Sequence, residues 1–223
     1  MAAINTPTYM RLRDQVRADI VAGIWPLGSH VTLAQLASHY EVSANPVREA
    51  LLQLQGEGVI AMRMNRGAVI PLVDAKYIDD LYRLRGAIQS MLARDAARLA
   101  TPIQIDKMMA LCTAYEDAAR RNDVAACVES NRQFHVFVDG IGNNLIAVDL
   151  LQGRSSLVDA YRRTAGYGAN RQDVVIKQHH MLALAIAAKD EERAATVSLE
   201  HTNSSRLDLL KLLAKQGAPA HKV

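Results

Sequence analysis

Hydrophobic residues in the first part of the chain recur at the spacing of amphipathic helices. The predicted helices cover residues 9–24, residues 32–40, and a third segment from the N-cap Ser43 to Gly56 or Gly58. Apolar runs at 59–62 and 68–70 flank a polar tip, which predicts a small β-hairpin. Three short helices followed by a hairpin, with a tight turn before the third helix, are typical of a winged helix-turn-helix domain.

From residue 74 onward the pattern is helical throughout. Pro, Gly, Asn and Asp separate six long segments that have helical periodicity. These segments lie near 75–100, 102–121, 123–140, 143–164, 171–188 and 190–215. Long helices joined by short breaks predict an antiparallel bundle. The expected fold class is mainly α, with a winged helix-turn-helix domain at 1–74 and an all-α effector-binding and dimerisation domain at 75–223.

Composition narrows the class of protein. Half of the 223 residues are hydrophobic and 22% are charged, which excludes extended disorder, while only 4% are aromatic, which favours helices over sheets. No apolar run reaches the roughly 18–20 residues of a membrane-spanning helix. The N-terminus lacks an apolar signal core and two cysteines cannot build a disulfide framework, so we expect a cytoplasmic protein. The net charge of +3 is too small to indicate nucleic-acid binding by itself.

The segment at 42–51, with the sequence VSANPVREAL, carries the most specific motif of the chain. Together with Leu54 and Gly58 it resembles the GntR superfamily of bacterial transcription factors, whose pattern is V-S-R-x-P-V-R-E-A-L-x-x-L-x-x-x-G. Residues 85–100, a later Asn-x-x-x-His pair and two further histidines resemble the start and the metal site of an FCD-type helical effector domain. The resemblance covers nearly the whole chain, and it implies a ligand-responsive DNA-binding regulator rather than an enzyme.

The resemblance implies a recognition helix that begins at Ser43 and lays its N-terminal side chains against base edges in the major groove. Arg48 can donate two hydrogen bonds to guanine or bind a phosphate, and Asn45 can pair with adenine or contact the backbone. Arg66 and Gly67 at the hairpin tip suit a neighbouring minor groove, since glycine permits a close approach. We therefore expect these five residues to bind a palindromic double-stranded operator, which a homodimer reads.

Departures from the family pattern predict weaker or differently specified DNA binding than in a typical member. Ala44 stands where the family usually has arginine, and Leu33-Ala34 stand where it usually has a Glu-Arg pair. Residues 1–74 contain six arginines and six acidic residues, so this domain is neutral. Neutralisation of phosphates supplies much of the affinity for DNA, and a homodimer would compensate through avidity.

Three of the seven histidines occupy positions that suit a metal site. Asn131 and His135 lie four residues apart and therefore share one helix face. His179 lies on the apolar face of its helix, and His201 lies on a stripe of small and polar residues that would line a wet cavity. Neutral imidazoles suit Zn²⁺, Ni²⁺, Mn²⁺ or Fe²⁺, and an asparagine can offer its amide oxygen. The resemblance implies one divalent metal on these four residues, with Asn131 the weaker ligand because many members carry Asp there.

The resemblance also implies that Arg85 faces the same cavity, where its guanidinium would bind the carboxylate of a small organic-acid effector. On the residues alone, a surface ion pair is the alternative for Arg85. Gln89 stands where the family often has Glu, so the local charge pattern departs from the family here as well. The predicted partners are a DNA operator, a small-molecule carboxylate and a second copy of the chain, with no membrane.

Two other functions fit a three-histidine site. A metal in a helical bundle can activate water in an enzyme, but no general base is evident beside the site, and catalysis does not need the motif at 42–51. A direct sensor, in which the metal is itself the signal, stays open. The main hypothesis is a regulator in which metal and effector alter the relative placement of two winged helices, and so the affinity for the operator.

Overall fold

The computed structural model describes residues 7–63 and 67–216, and it divides into two compact units. The first unit contains Met1–Val73 and Gln152–Thr164, and the second contains Asp74–Leu151 and Ala165–Val223. In chain order the described elements are α1 (Thr8–Ala22), β1 (His30–Val31), α2 (Leu33–His39), α3 (Ala44–Gly56), β2 (Ala61–Arg63), β3 (Gly67–Val69), α4 (Ala75–Leu99), α5 (Pro102–Arg120), α6 (Val124–Ile141), α7 (Leu145–Ala165), α8 (Arg171–Ala187) and α9 (Glu191–Gln216). The predicted mainly α fold is confirmed, whereas the domain limit at residue 74 stays a prediction.

The three short helices of the first unit bury their apolar faces together. Val16 and Ile20 of α1, Leu36 of α2, and Leu51 and Leu54 of α3 are each no more than 3% exposed. Burial of each such side chain contributes about 1.5–3 kcal/mol to the free energy of unfolding. This core holds α3 in place and leaves its opposite face in solvent.

Helix α1 ends two residues before the predicted limit at Ile24. Gly23 has a φ of +82°, a left-handed conformation that glycine adopts without strain. Its N–H donates to the carbonyl of Ile20, and the N–H of Ile24 donates to the carbonyl of Asp19. The predicted limit is wrong because the glycine ends the helix before Trp25 and Pro26 are reached.

The first unit also contains a three-stranded antiparallel sheet in the order β1-β3-β2. The hairpin of β2 and β3 follows the prediction, but β1 was not predicted. Its two residues pair with β3, His30 with Val69 and Val31 with Ala68. Two residues are too few to show a period of two along the sequence, and only pairing with β3 makes them a strand. The hairpin tip at 64–66 lies outside the described residues.

The core of the second unit is formed by small residues of α4 and larger residues of α6 and α8. Ala96, Phe134, Val138, Leu182 and Ile186 are all buried in one cluster. Alanines on α4 allow the neighbouring helices to approach closely, because they add little side-chain volume between the helix axes. Among the described helices, none combines the length and the apolar character that crossing a membrane would require.

Side-chain caps mark the starts of several helices of the second unit. The side chain of Asp74 accepts a hydrogen bond from the N–H of Tyr77 at the start of α4, and Asp123 accepts one from the N–H of Ala126 at the start of α6. Thr101 caps α5. Such caps typically contribute about 1 kcal/mol to the free energy of unfolding, and the capping residue lies only a few residues before the N–H group that it binds. The predicted starts of all six helices of residues 75–216 accordingly agree with the structure within two residues.

Candidate functional site

The third helix presents the predicted DNA-reading residues to solvent. Its inner face is buried through Val47, whereas Ser43, Asn45 and Arg48 are all exposed. Ser43 takes the extended backbone conformation of an N-cap residue, as predicted, and its side chain does not cap the helix. The three side chains therefore have the exposure that contact with base edges or phosphates requires.

A partly buried polar network lies at the turn that leads into α3. The hydroxyl of Tyr40, which follows α2, donates to Asp19 Oδ2 at 2.6 Å, and Trp25 Nε1 donates to the Tyr40 hydroxyl at 2.8 Å. Gln15 Nε2 donates to the second oxygen of Asp19 at 2.9 Å. Burial, and then the hydrogen bond to Asp19, raise the pKa of Tyr40 above its usual value. The network ties the end of α2 to α1, and sequence periodicity gave no sign of it.

Gly67 begins β3 and is buried, with a φ of +90°. A Cβ atom at this position would lie 2.2 Å from the carbonyl oxygen of Val31. The close approach that glycine permits here is therefore to the backbone of β1 within the chain. Contact of Gly67 with DNA stays a prediction, and Arg66 lies outside the described residues.

Three buried histidines meet in the second unit, and we call them the histidine cluster: His135 of α6, His179 of α8 and His201 of α9. Each offers one ring nitrogen, and these nitrogens all lie within 4.8 Å of one another. His135 Nε2 and His201 Nε2 are 3.0 Å apart. Asn131 is half-buried, one turn before His135 on the same face of α6. The structure thus brings together the three histidines that the sequence singled out.

The imidazoles of the histidine cluster are neutral near pH 7. Burial, and then the positive charges of Arg85 and Arg171, lower the pKa of His135 to about 3. Burial is also the largest cause that lowers the pKa values of His179 and His201 well below the usual range. Metal ions bind neutral imidazole rather than imidazolium, so the cluster is already in its ligating protonation state.

His179 is the least satisfied member of the histidine cluster. It is 1% exposed, and its ring stacks on Phe134 with the centroids 4.1 Å apart. Neither Nδ1 nor Nε2 of His179 finds a hydrogen-bond partner among the described residues. Leaving a buried polar group without a partner costs about 1–3 kcal/mol. A bond from one of these nitrogens to a metal would remove part of that cost.

The donor set of the histidine cluster fits a divalent metal ion. Zinc binds imidazole nitrogen at about 2.0–2.1 Å, so adjacent ligating nitrogens lie roughly 3 Å apart. The separation of 3.0 Å between His135 Nε2 and His201 Nε2 meets this requirement. The remaining separations are at most 4.8 Å, so a metal bound by all three nitrogens would require small shifts of the side chains. The cluster would supply the metal with three nitrogen ligands.

Arg85 lies on α4 close to the histidine cluster. Its positive charge lowers the pKa values of His135 and His201. Its Cζ lies 5.0 Å from the ring centre of Tyr82. Its Nε is buried without a hydrogen-bond partner, and no ion pair of Arg85 occurs in the part of the chain that the structure describes. A guanidinium in this setting is suited to bind an anion.

A buried carboxyl group near Arg85 was missed in the sequence. Asp139 is 7% exposed, and its Oδ2 accepts a hydrogen bond of 3.1 Å from Gln89 Nε2. Burial raises the pKa of Asp139 to about 6, against the opposing effects of the Gln89 hydrogen bond and the charge of Arg85. A signal was present, since Asp139 follows His135 by four residues and so lies on the face that carries Asn131.

Arg171, at the start of α8, is a buried cation that the sequence analysis also missed. It is 5% exposed, and it donates from Nη1 to Ser204 Oγ at 2.9 Å and from Nη2 to Ser205 Oγ. Its charge contributes to lowering the pKa of every member of the histidine cluster. Arg171 precedes His179 by eight residues, which places both on one helix face, so the spacing held the clue.

Family models match both parts of the chain. The model for bacterial regulatory proteins of the gntR family matches residues 8–70, and the FCD domain model matches residues 80–204. The chain belongs to the GntR family. This GntR-family protein is a transcriptional regulator with a helix-turn-helix domain and an FCD effector-binding domain, and the relatives that it matches are regulators, not enzymes.

Known proteins are similar to this regulator over most of its length. The HTH-type transcriptional regulator YdhC of Bacillus subtilis is 23% identical over 199 residues, which is 89% of each chain. The transcriptional repressor RspR of Escherichia coli is 24% identical over 202 residues, again 89% of each chain. The structure of E. coli McbR/YncC matches with a TM-score of 0.81 at 21% identity, covering 95% of this chain and all of that one. At this identity the structural match establishes the fold alone.

Proposed function

We propose that this GntR-family regulator binds a palindromic operator as a homodimer in the cytoplasm, and that a small organic acid changes its affinity for DNA. The acid would bind beside a divalent metal held by the histidine cluster. The proposal rests on one arrangement: three neutral imidazoles lie near an arginine that has no hydrogen-bond partner at Nε in the described part of the chain. A metal would bind the three imidazoles, and a carboxylate would bind the arginine.

The metal would be held by His135, His179 and His201, with the amide oxygen of Asn131 as a weaker fourth ligand. The metal supplies a concentrated positive charge and open coordination positions for a carboxylate. Asn131 is neutral, so the metal would keep its full positive charge in this donor set of three imidazoles and one amide. An anionic effector therefore supports metal binding, and the metal supports effector binding, as reciprocal linkage requires.

Arg85 would bind the same carboxylate with charge-assisted hydrogen bonds, which are worth about 1.5–3 kcal/mol. We expect Arg85→Leu to weaken carboxylate binding by about 10- to 150-fold and to leave zinc affinity unchanged or higher, because a positive charge near His135 is removed. Isothermal titration of the zinc-loaded protein with small mono- and dicarboxylates measures this. Arg83→Leu, on the exposed side of α4, is the matched control. Equal carboxylate affinity in Arg85→Leu and the wild type would remove Arg85 from the effector site.

The regulator is expected to be a homodimer through its helical domain. A palindromic operator presents two half-sites, and two recognition helices related by a two-fold axis read them together. The neutral 1–74 segment makes a single copy a poor binder, so the second copy supplies avidity. Light scattering at micromolar concentration should give twice the chain mass of 24.4 kDa. A mass near that of one chain would contradict the dimer.

The function as a whole is tested with a duplex selected from a randomised pool by the purified protein. Fluorescence anisotropy then measures the affinity for this duplex in four states: without additions, with Zn²⁺, with a carboxylate, and with both. We expect the largest change in affinity only when both are present. A graded, reversible change with Zn²⁺ alone would instead identify a direct metal sensor. No change in any state would reject the ligand-responsive mechanism.

A further inference from the structure

Gln178 contacts the histidine cluster from outside, at the nitrogen of His201 that faces away from His135. Gln178 Oε1 lies 3.0 Å from His201 Nδ1 and 3.0 Å from Ser204 Oγ. On the other side of the His201 ring, Nε2 lies 3.0 Å from His135 Nε2. The two nitrogens of His201 thus have different roles, one toward the cluster and one toward Gln178.

Metal binding by a neutral imidazole determines which ring nitrogen of His201 carries the hydrogen. A neutral histidine that binds a metal through one nitrogen carries its hydrogen on the other, and that N–H needs an acceptor to fix the ring. His201 Nε2 faces the cluster, so Nδ1 would carry the hydrogen. Among the described residues, the acceptor within hydrogen-bond distance of Nδ1 is Gln178 Oε1.

The Gln178 amide is itself held by a second hydrogen bond. Ser204 Oγ accepts from Arg171 Nη1 at 2.9 Å, and its single hydrogen has two acceptors within reach, Gln178 Oε1 at 3.0 Å and the main-chain carbonyl oxygen of His201 at 2.9 Å. An oxygen at this end of the amide accepts from both Ser204 and His201. When the Ser204 hydroxyl and His201 Nδ1–H both donate to Gln178, its oxygen, and not its NH₂ group, faces His201.

We propose that Gln178 is a positioning residue for the metal site: it accepts the hydrogen bond from His201 Nδ1–H and so holds His201 in the tautomer whose Nε2 is free to bind metal. This role rests on the proposed metal site of the histidine cluster. Gln178 is not a ligand itself, and it acts only through His201. Partners of this kind commonly change metal affinity by 10- to 100-fold when they are removed.

The first measurement is zinc affinity, from competition with a chromogenic chelator and the full-length protein. Gln178→Leu removes the acceptor and should weaken zinc binding by about 10- to 100-fold. Gln178→Glu keeps an acceptor and adds negative charge, so its affinity should equal or exceed that of the wild type. Gln172→Leu is the matched control on the same helix, because Gln172 contacts Cys127 instead of the cluster. Its zinc affinity should not change.

The second measurement reads the tautomer directly, through ¹⁵N chemical shifts of the histidine rings in metal-free protein. We expect Nδ1–H at His201 in the wild type and in Gln178→Glu, and a loss of this preference in Gln178→Leu. An Nε2–H tautomer in the wild type, or unchanged zinc affinity in Gln178→Leu, would overturn the role of Gln178 alone. A wild type that binds no zinc would overturn the proposed metal site and this role with it.

Discussion

The His179→Ala variant is expected to bind no zinc and to lose the response of operator binding to carboxylates. His179 is one of only three histidines in the cluster, and its removal leaves two imidazoles and a neutral amide for a divalent ion. The metal content of protein purified without a histidine tag, measured by elemental analysis, should fall from about one metal ion per chain in the wild type to none in the variant. The far-ultraviolet circular dichroism spectrum should remain that of a helical protein, because the hydrophobic core of the bundle is formed by other side chains.

The His179→Leu variant separates loss of the site from loss of the fold. Leucine keeps most of the buried volume and removes two ring nitrogens that have no hydrogen-bond partner among the described residues. We expect its free energy of unfolding, measured with urea in the absence of metal, to rise by about 1–3 kcal/mol above that of the wild type. It should bind no zinc. A residue kept at a cost in stability is typical of a functional site.

His180→Leu is the matched control for both variants. His180 is the next residue on α8, but its side chain is 37% exposed and its Nε2 lies 3.5 Å from Glu116 Oε2 at the surface. Its replacement should leave zinc content and effector response as in the wild type. Effector binding that survives both chelation of metal and the loss of His179 would reject the metal-bridged mechanism, although not the assignment as a regulator.

The Arg48→Ala variant should lose most of its affinity for the operator while remaining folded. Arg48 is exposed near the start of α3, where a recognition helix contacts bases and phosphates. Loss of one good contact costs roughly 1–3 kcal/mol at each half-site. Across two half-sites this corresponds to a decrease in affinity of about 30-fold up to about 10⁴-fold. Fluorescence anisotropy with the selected duplex at fixed ionic strength measures the change.

Gln53→Ala provides the comparison for Arg48→Ala. Gln53 is exposed on the same helix, further toward its C-terminus and on another face. This variant should bind the operator like the wild type, and both variants should unfold at similar temperatures. If folded Arg48→Ala binds as tightly as Gln53→Ala, then Arg48 does not belong to the DNA-reading surface.

The bounds of the helices are determined largely by residues close to them in the sequence. The helices of residues 75–216 agree with the periodicity of the chain within two residues, because caps such as Thr101 and Asp123 act on the N–H groups that follow them. The end of α1 differed for an equally local reason, the left-handed Gly23. Strand β1 could not be predicted, since its two residues become a strand only by pairing with β3, far along the chain.

The sequence was sufficient to identify the helices, their inward faces and, through resemblance, the histidines that belong together. It was not sufficient to identify the neighbours of those histidines. His135 and His201 are 66 residues apart in the chain, yet their Nε2 atoms lie 3.0 Å from each other. Gln178 contacts His201, 23 residues further along the chain, and Gln89 forms a hydrogen bond with Asp139, 50 residues further along. Helical periodicity reports which face a residue occupies, whereas burial, shifted pKa values and hydrogen-bond partners arise only when those faces pack together.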